Sequence, residues 1–248
     1  MRLRQIPQFD SWEPQLLQAL LDTPDLRFLW AMQELTGTDV KDYSVNARHG
    51  TYGGVIINQN APNRRINKTM SFDGINDKII TPLTCSVKGL SAYTFSCVLQ
   101  ITDISIAGNL FYESNSDLIT ASRFIIRVET DRKISIFARS KISTLQPLNT
   151  IVTNISLPLG YHMLHFVVDI VNNKIEIYRN GIKLTTTGAV DFTGSLAVDD
   201  TDPLGIVFGS NASLNANWLK GKVAYISQWS RVLTQPEMIQ HTKSGGFA

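Results

Sequence analysis

The strongest constraint on the fold is a period of two in short segments separated by turn residues. Apolar side chains alternate in YTFSCVLQI (93–101), and similar patterning occurs in HMLHFVVDI (162–170) and KIEIYR (174–179). Successive side chains of a strand point to opposite faces, so these segments are predicted to be half-buried strands. Asn180-Gly181 then precedes IKLTTT (182–187), and an Asn-Gly pair favours the type I′ turn of a tight hairpin.

The remaining strand-like segments follow the same spacing. They are RFIIRVE (123–129), KISIFAR (133–139), GIVFGS (205–210) and KVAYISQWS (222–230). No series of 10–15-residue helical patterns alternates with them, which argues against a parallel α/β fold. Short strands with frequent turns are typical of an antiparallel sandwich or barrel. We expect a sandwich domain over residues 25–248, because no internal repeat or shift in composition divides this range.

Two short helices are predicted near the ends of this sequence. A single helical face would carry the apolar side chains of Trp12, Leu16, Leu17, Leu20 and Leu21. Residues 1–24 are therefore predicted to be a polar arm and a short amphipathic helix. Thr234 and Glu237 form a capping-box pattern, which predicts a second helix with His241 and Lys243 in its last turn.

The charge balance excludes several kinds of partner. Lys and Arg number 23 and Asp and Glu number 21, which gives a formal net charge of +2. Such a balance argues against nucleic acid and against an anionic membrane as the partner. No apolar run approaches the roughly 18 residues of a spanning helix. Gln5, Pro7 and Asp10 interrupt any signal-peptide core, so we expect synthesis in a cytoplasm without export.

Four blocks in order resemble the laminin-G-like and concanavalin-A-like jelly-roll modules. They are FLWAMQELTGTDVKDYSVNARHGTYGG (28–54), MSFDGINDKIITP (70–82), LHFVVDIVNNKIEIYRNGIKL (164–184) and GIVFGSNASLNANWLKGKVAYISQWSRVLTQPEM (205–238). The resemblance implies an all-β fold, an antiparallel jelly-roll β-sandwich with a short N-terminal and a short C-terminal helix. It does not fix the function, since this fold carries lectins, enzymes and adhesive modules.

The lead-in LLQALLDTPDLRFLW (16–30) is similar to the start of phage virion proteins that carry such a module. This resemblance implies a non-catalytic virion surface protein, either a capsid decoration subunit or a tail accessory subunit. Its partners would be other virion proteins and further copies of the chain, as a homo-oligomer. Release by lysis would explain the expected lack of export, and the predicted location is the virion.

The alternative is a lectin-like module that binds a glycan of the host surface. Trp30 and Trp229 occupy strand positions that match core aromatics of the fold. Trp218, in the loop LNANWLKG (214–221), is the tryptophan that could serve as a sugar platform, although a packing role is also open. The acidic loop VDDTDP contributes three further ligand-binding candidates. They are Asp199, Asp200 and Asp202.

No organic cofactor is predicted, and calcium is the one ion considered. Asp73, Asn76 and Asp77 place carboxylate and amide oxygens in a tight turn, where related modules often keep acids. A turn held by Asx hydrogen bonds is the alternative. Lys78 stands where the family commonly has an aromatic residue. The three aspartates of the 198–203 loop could bind calcium or remain solvated.

Catalysis is not predicted. A glycoside hydrolase of this fold would need a Glu-x-Asp strand with a further carboxylate, and Glu129-Thr-Asp131 lacks it and has the pattern of a hairpin turn. Glu176 is interpreted as a lone outward acid. His162 and His165 lie three residues apart, so we expect one partly buried and one exposed histidine on opposite faces. Cys85 and Cys97 are expected to be free and buried.

Overall fold

The structure is a computed structural model of the 248-residue chain. It describes residues 15–81, 86–102, 106–115, 123–140, 148–193, 195, 197–198, 203–210 and 216–247. Within these ranges the chain folds into two antiparallel sheets and two short helices. None of the helices in the described ranges is long and apolar enough to cross a bilayer.

Eight described strands form the first sheet. They are β1 (Leu26–Trp30), β4 (Ile56–Asn60), β5 (Lys68–Asp73), β7 (Ala92–Ile101), β12 (Gly160–Asp169), β13 (Lys174–Arg179), β14 (Ile182–Lys183) and β17 (Lys220–Trp229). Their order is β14, β13, β12, β7, β17, β5 and β4, with β1 also paired to β17. The predicted hairpin is confirmed, because Asn180 and Gly181 have φ of 50° and 74° between β13 and β14.

Nine described strands form the second sheet. They are β2 (Asp39–Val40), β3 (Gly50–Gly53), β6 (Lys78–Ile80), β8 (Gly108–Asn115), β9 (Arg123–Val128), β10 (Ile134–Arg139), β11 (Asn149–Thr153), β15 (Thr186–Thr187) and β16 (Pro203–Phe208). Their order is β15, β11, β10, β9, β8, β16, β6, β3 and β2. The predicted strand 182–187 is divided, since β14 pairs in the first sheet and β15 in the second.

A bulge in β17 lets this strand border two others on one side. Lys220–Val223 pairs with β5, and Ile226–Trp229 pairs with β1. The register of β17 against β7 shifts between Ala224 and Ser227, where Tyr225 has φ of 51°. This left-handed conformation is unusual for an aromatic residue, and an extra residue in one strand is the general cause of such a kink. β1 and β5 therefore follow one another along the same edge of β17.

The main core lies between the sheets and is rich in aromatic rings. Phe208 is central, with its ring centroid 4.9 Å from Trp30, 4.9 Å from Phe111 and 5.8 Å from Phe95. Edge-on and offset contacts of this kind add to the stabilisation from buried apolar area. Cys97 also lies in this core as a free, buried thiol, as expected. The two inner faces together give the sandwich predicted from the alternating segments.

Both helices cover the outer face of the first sheet. Helix α1 spans Gln15–Asp22 and buries Leu16, Leu17 and Leu20, and helix α2 spans Gln235–Ser244. A second apolar cluster joins these helices to the sheet. It includes Leu16, Leu17, Leu20, Leu29, Val98, Met163, Val167, Trp229, Leu233 and Met238. The predicted amphipathic helix thus packs within its own chain, and the domain boundary at residue 24 stays a prediction.

The start of α2 has the predicted capping box. The Glu237 carboxylate accepts the backbone N–H of Thr234 at 2.7 Å and forms a two-bond ion pair with Arg231 at 2.6 and 2.9 Å. These bonds hold the pKa of Glu237 at about 2, with the Arg231 contact as the main cause. Arg231 also contacts Asp25 at 3.3 Å, so one guanidinium connects the helix start with the segment before β1.

Two histidines form a buried hydrogen-bond chain beneath the helices. His165 Nε2 lies 3.2 Å from His241 Nδ1, and His241 Nε2 lies 2.8 Å from the Thr23 hydroxyl. The Thr23 hydroxyl donates to the carbonyl of Ala19 in α1, so it accepts from His241 Nε2–H. The Nδ1 of His241 is then the acceptor for His165 Nε2–H. Neutral imidazoles therefore satisfy every bond of the chain.

This arrangement corrects two expectations about histidine. His162 and His165 lie on opposite faces of β12, as expected, but both are buried. Helix α2 covers the outer face, which carries His165, while His162 Nε2 lies 2.9 Å from the Pro158 carbonyl on the other face. His241 is also buried and stacks on Trp229 at a centroid distance of 5.3 Å, so it does not act as an exposed cation at the helix end. Burial lowers the pKa of His241 to about 4, and burial together with the nearby His241 also lowers the pKa of His165.

Candidate functional site

The β5–β6 turn places Asp73, Asn76 and Asp77 as the sequence predicts. The Asp73 Oδ1 accepts the backbone N–H of Ile75 at 2.7 Å and that of Asn76 at 3.2 Å. The Asp77 Oδ2 accepts the N–H of Asp73 at 2.7 Å. Both carboxylates thus hold the turn together through Asx hydrogen bonds. Calcium binding here stays a prediction, in which the ion would share these oxygens with the backbone amides.

The second carboxylate of this turn is buried against the chain that joins β3 and β4. A Cβ built on Gly54 would lie 2.4 Å from Asp77 Oδ1, and Gly54 has φ of 82°. Only glycine fits this left-handed position without displacing the carboxylate. Burial raises the pKa of Asp77, and the charge of Asp73 adds to that increase. The turn is therefore a rigid support rather than a flexible acidic loop.

Lys78 connects this turn to Trp218. Its Nζ lies 6.0 Å from the centre of the Trp218 ring, within the range of a cation–π contact. Trp218 is half-buried, in contrast to Trp30 and Trp229, which are fully buried as predicted. The backbone oxygen of Trp218 approaches Gly108, where a Cβ would lie only 2.7 Å away. This close contact fixes the loop so that one part of the indole ring remains accessible.

A groove lies beside Lys78 on the outer face of the second sheet. Its volume is about 720 Å³, within the range of small-molecule sites. Its lining combines polar and apolar groups. The lining residues are Asp39, Val40, Lys41, His49, Gly50, Thr51, Ile80 and Thr81. Ile80 is 49% exposed, so an apolar side chain at the edge of this sheet is open to solvent.

The register of the sheet places the groove and Lys78 on one continuous face. Thr51 pairs with Ile80, and Gly53 pairs with Lys78 on the same two strands. Because Ile79 points into the core, Lys78 and Ile80 both point outward. They are about 7 Å apart along β6. We call the elongated surface formed by Trp218, Lys78, Ile80, Thr51 and the remaining groove residues the β6 surface.

His49 in this surface is oriented by the opening block of the sequence. Its Nδ1 accepts the N–H of Asp42 at 3.0 Å, which leaves the proton on Nε2. The buried Asp42 carboxylate in turn accepts bonds from Leu29, Ser44 and Arg48. The indole N–H of Trp30 donates to the carbonyl of Arg48. The motif residues of this block thus support the groove from behind.

The acids considered for catalysis do not form a pair. Asp131 lies in the β9–β10 turn, as predicted, and contacts Lys133 at 2.9 Å, which lowers its pKa. Glu176 is not a lone outward acid, because β14 brings Lys183 to 2.6 Å and the Tyr178 hydroxyl lies at 2.8 Å. In the described ranges, no group of three or more His, Cys, Asp or Glu residues could hold a metal ion.

Some predicted residues fall outside the described ranges. They are Trp12, Cys85, Asp199, Asp200 and Asp202. Sequence reasoning named Trp218 but missed the edge groove, whose polar residues lie in β2 and β3 or directly beside β2, β3 and β6. The only signal in the sequence was Lys78, which stands where the related modules commonly have an aromatic residue. In the structure its ammonium lies over the Trp218 ring. This replacement of an aromatic residue is consistent with a surface that differs from that of the modules the sequence resembles.

Comparisons with known proteins establish the fold. No protein-family model matches the chain, and no curated protein matches its sequence. Solved structures do match. The botulinum neurotoxin serotype D ligand binding domain, in complex with N-acetylneuraminic acid, has a TM-score of 0.66 at 12% identity over 92% of this chain and 52% of that one. The receptor binding domain of the C/D mosaic botulinum neurotoxin has a TM-score of 0.64 at 11% identity, over 88% and 51%.

A Trypanosoma rangeli sialidase in complex with the inhibitor DANA is also similar. Its TM-score is 0.61 at 11% identity, over 90% of this chain and 33% of that one. This chain therefore spans about half of the neurotoxin structures and a third of the sialidase. At such low identity the likeness is one of fold alone. It confirms an antiparallel jelly-roll β-sandwich and leaves the function to the site itself.

Proposed function

We propose that this protein is a non-catalytic carbohydrate-binding module whose ligand lies on the β6 surface. The observation that carries the proposal is the half-buried Trp218 indole beneath the ammonium of the half-buried Lys78, next to a groove with polar lining. Sugar rings pack on aromatic faces, and their hydroxyls need the donors and acceptors that Thr51, Asp39 and His49 offer. An apolar floor at Ile80 completes an amphipathic surface suited to a glycan.

The proposed ligand is a glycan with an acidic sugar. No carboxylate forms an ion pair with Lys78 among the described residues, and its ammonium lies over the Trp218 ring instead. The neurotoxin domain and a T. rangeli sialidase structure both hold N-acetylneuraminic or sialic acid, which supports this choice. A charge-assisted bond from Lys78 to the sugar carboxylate would distinguish an acidic glycan from its neutral counterpart.

Calorimetric titration with sialyllactose and with lactose tests this proposal. We expect Trp218→Ala to weaken both ligands about tenfold, the usual effect of removing an aromatic anchor. We expect Lys78→Ala to weaken sialyllactose and to leave lactose unchanged. Because Trp218 is half-buried, its replacement could also affect folding. Thermal melting of Trp218→Ala tests whether that variant is folded, and Trp218→Phe, which keeps an aromatic ring, tests whether the ring is what binds the sugar.

Two exposed residues away from the β6 surface provide matched controls. Lys88, in the loop before β7, has no ion-pair partner in the described residues, and Ile182 on β14 is 67% exposed. Lys88→Ala and Ile182→Ala should bind both sugars as the unaltered protein does. Equal binding by the four alanine variants would refute a glycan site on the β6 surface.

A second proposal is that the chain acts as a virion surface subunit, as a capsid decoration or tail accessory protein. The sequence resemblance of residues 16–30 supports it, together with a helix that directly precedes the first strand. The test is light scattering of the purified protein with calcium and with a chelator. A stable closed oligomer would support the subunit role, and a monomer at all concentrations would argue against self-assembly. A melting temperature that falls on chelation would support the calcium prediction at Asp73–Asp77.

A further inference from the structure

A second cleft lies on the opposite side of the molecule, next to the end of α2. It has a volume of about 600 Å³ and is lined by Asn63, Arg64, Arg65, Lys243 and Gly246, which we call the α2 cleft. Three of these five residues carry a positive charge and none carries a negative charge. With a net charge of only +2 over 248 residues, this concentration is a local feature.

The turn that presents the two arginines is rigid. Asn63 Oδ1 accepts the backbone N–H of Arg65 at 2.9 Å and that of Ile66 at 3.2 Å. Asn63 Nδ2 donates to the carbonyl of Gly245 at 3.0 Å. Gly246 has φ of 76°, and a Cβ there would lie 3.0 Å from Asn63 Nδ2. The turn and the helix end are thus locked together without a side chain at Gly246 to fill the space.

Two of the carbonyls that would repel an anion at this helix end already accept hydrogen bonds from the turn. The C-terminus of a helix carries partial negative charge on its last carbonyls. Here Arg65 Nη1 donates to the carbonyl of Lys243, and Asn63 Nδ2 donates to the carbonyl of Gly245. Arg65 keeps further N–H groups free, since a guanidinium has five donors. The cleft therefore offers an excess of donors with little competing negative charge.

Arg64 and Lys243 have no ion-pair partner among the described residues that would explain their position. Both are exposed, and neither forms an ion pair with any described residue. Two unpaired cations beside the Arg65 guanidinium match the three terminal oxygens of a tetrahedral oxyanion better than the two of a carboxylate. We propose that the α2 cleft binds a phosphate or sulfate group of a ligand, independently of the β6 surface.

Titration with inorganic phosphate and, separately, with sodium sulfate tests this site. Backbone amide shifts of Arg64, Arg65 and Gly246 would be followed by NMR at constant ionic strength, because screening alone alters exposed charges. We expect saturable shifts with both ions. The affinity should fall at least fivefold in Arg64→Ala and in Lys243→Ala, while Lys88→Ala behaves as the unaltered protein.

The two ions also distinguish the chemical source of the group. Inorganic phosphate loses its second charge as the pH falls towards 6, whereas inorganic sulfate keeps both charges, so only phosphate binding should weaken at lower pH. Titration with methyl phosphate and with methyl sulfate then shows which ester the cleft prefers. Non-saturating shifts, unchanged binding in Arg64→Ala and Lys243→Ala, or an equal loss in Lys88→Ala would each overturn the proposal. The two substituted side chains are exposed and unpaired, so the variants should fold normally.

Discussion

The outer faces of the two sheets differ in whether their polar side chains are buried or exposed. On the first sheet, two helices enclose His165, His241 and Thr23 in a buried chain of matched hydrogen bonds. On the second sheet, the edge at β2, β3 and β6 leaves Thr51 and Ile80 exposed and Lys78 half-buried. Both faces contain imidazole, hydroxyl and aromatic groups, so composition alone does not separate a structural face from a binding face.

What separates them is whether helices or solvent cover the polar groups. One arrangement of protons fills the bonds between His165, His241 and Thr23, and the helices keep a ligand away from the remaining His165 Nδ1, which has no partner among the described residues. On the β6 surface, the Lys78 ammonium and the Trp218 ring contact each other but keep accessible sides. We infer that the covered face contributes mainly stability and that the open face contributes mainly recognition. Four predictions test this contrast.

The largest effect is expected from shortening one apolar side chain on each face. Leu20 on α1 is fully buried, whereas Ile80 on β6 is 49% exposed. Leu20→Ala should cost about 2–5 kcal/mol of unfolding free energy because it leaves a cavity. Ile80→Ala should cost less than about 0.5 kcal/mol. Urea denaturation measures both, and similar losses would show that the two faces do not differ as described.

Acid should destabilise the covered face. The pKa of His241 is about 4 in the folded protein and 6.5 ordinarily, so the unfolded chain binds the proton first. Stability is complete above pH 6.5 and falls as the pH approaches 4, by roughly 3 kcal/mol from this group. The lowered pKa of His165 adds to the loss in the same direction. Unfolding free energy measured from pH 7.5 to 4.5 should show this decline.

The His241→Gln variant is the control for the acid effect. It should be less stable than the unaltered protein at pH 7.5, since it alters the bonds to His165 and Thr23. Its stability should nevertheless depend less on pH between 6.5 and 4.5. The Glu237 ion pair does not interfere, because the pKa of Glu237 near 2 places its contribution below pH 4.5. An unchanged pH dependence would assign the acid effect to other groups.

A smaller effect is expected from adding a methyl group at the support of the β6 surface. Gly54→Ala would place Cβ against Asp77 Oδ1 in a left-handed backbone, at a cost of about 1–3 kcal/mol. Gly53→Ala is a neighbouring control, where Cβ would contact only Lys78 atoms at 3.5 Å or more. Thermal melting should separate the two variants clearly. Equal melting temperatures would show that the β5–β6 turn is not rigid.

The smallest effect is expected from neutralising Glu237, the acidic residue of the capping box at the start of α2. Glu237→Gln keeps the size of the side chain but weakens the contacts with Arg231 and with the Thr234 N–H. Because the pair is partly exposed, we expect a loss of about 1 kcal/mol at pH 7. The difference from the unaltered protein should shrink as the pH is lowered towards 2. Urea denaturation at pH 7 and pH 3 would measure it.

Local patterns in the sequence predict many of the elements. The alternation in KIEIYR matches β13 at both ends, and YTFSCVLQI matches β7 to within one residue. The Asn180-Gly181 turn and the Thr234 capping box are also correct, since each depends on residues close in sequence. Asp73–Asp77 form the turn that their spacing indicates. Features set by neighbours in the chain were therefore accessible without the structure.

Features that depend on contacts between distant parts of the chain could not be predicted from the sequence. β8 and β11 escaped prediction because GNLFYESN and NTIVT are short or weakly patterned and depend on sheet neighbours. The contact of His165 with His241 spans 76 positions, and nothing in either local sequence indicates it. Lys78 and Trp218 meet because β6 and the loop before β17 lie at the same end of the sandwich. The groove beside them depends on the same long-range pairing.

The bulge at Tyr225 has a consequence for how the chain is made on the ribosome. β1 and β5 both take their place beside β17, and Leu26 pairs with Trp229 near the far end of the described chain. Neither early strand can gain this neighbour until β17 has been synthesised and released. Contacts between such distant segments slow folding and leave apolar edges unprotected during translation. We therefore expect the nascent chain to need protection by chaperones until β17 has emerged from the exit tunnel.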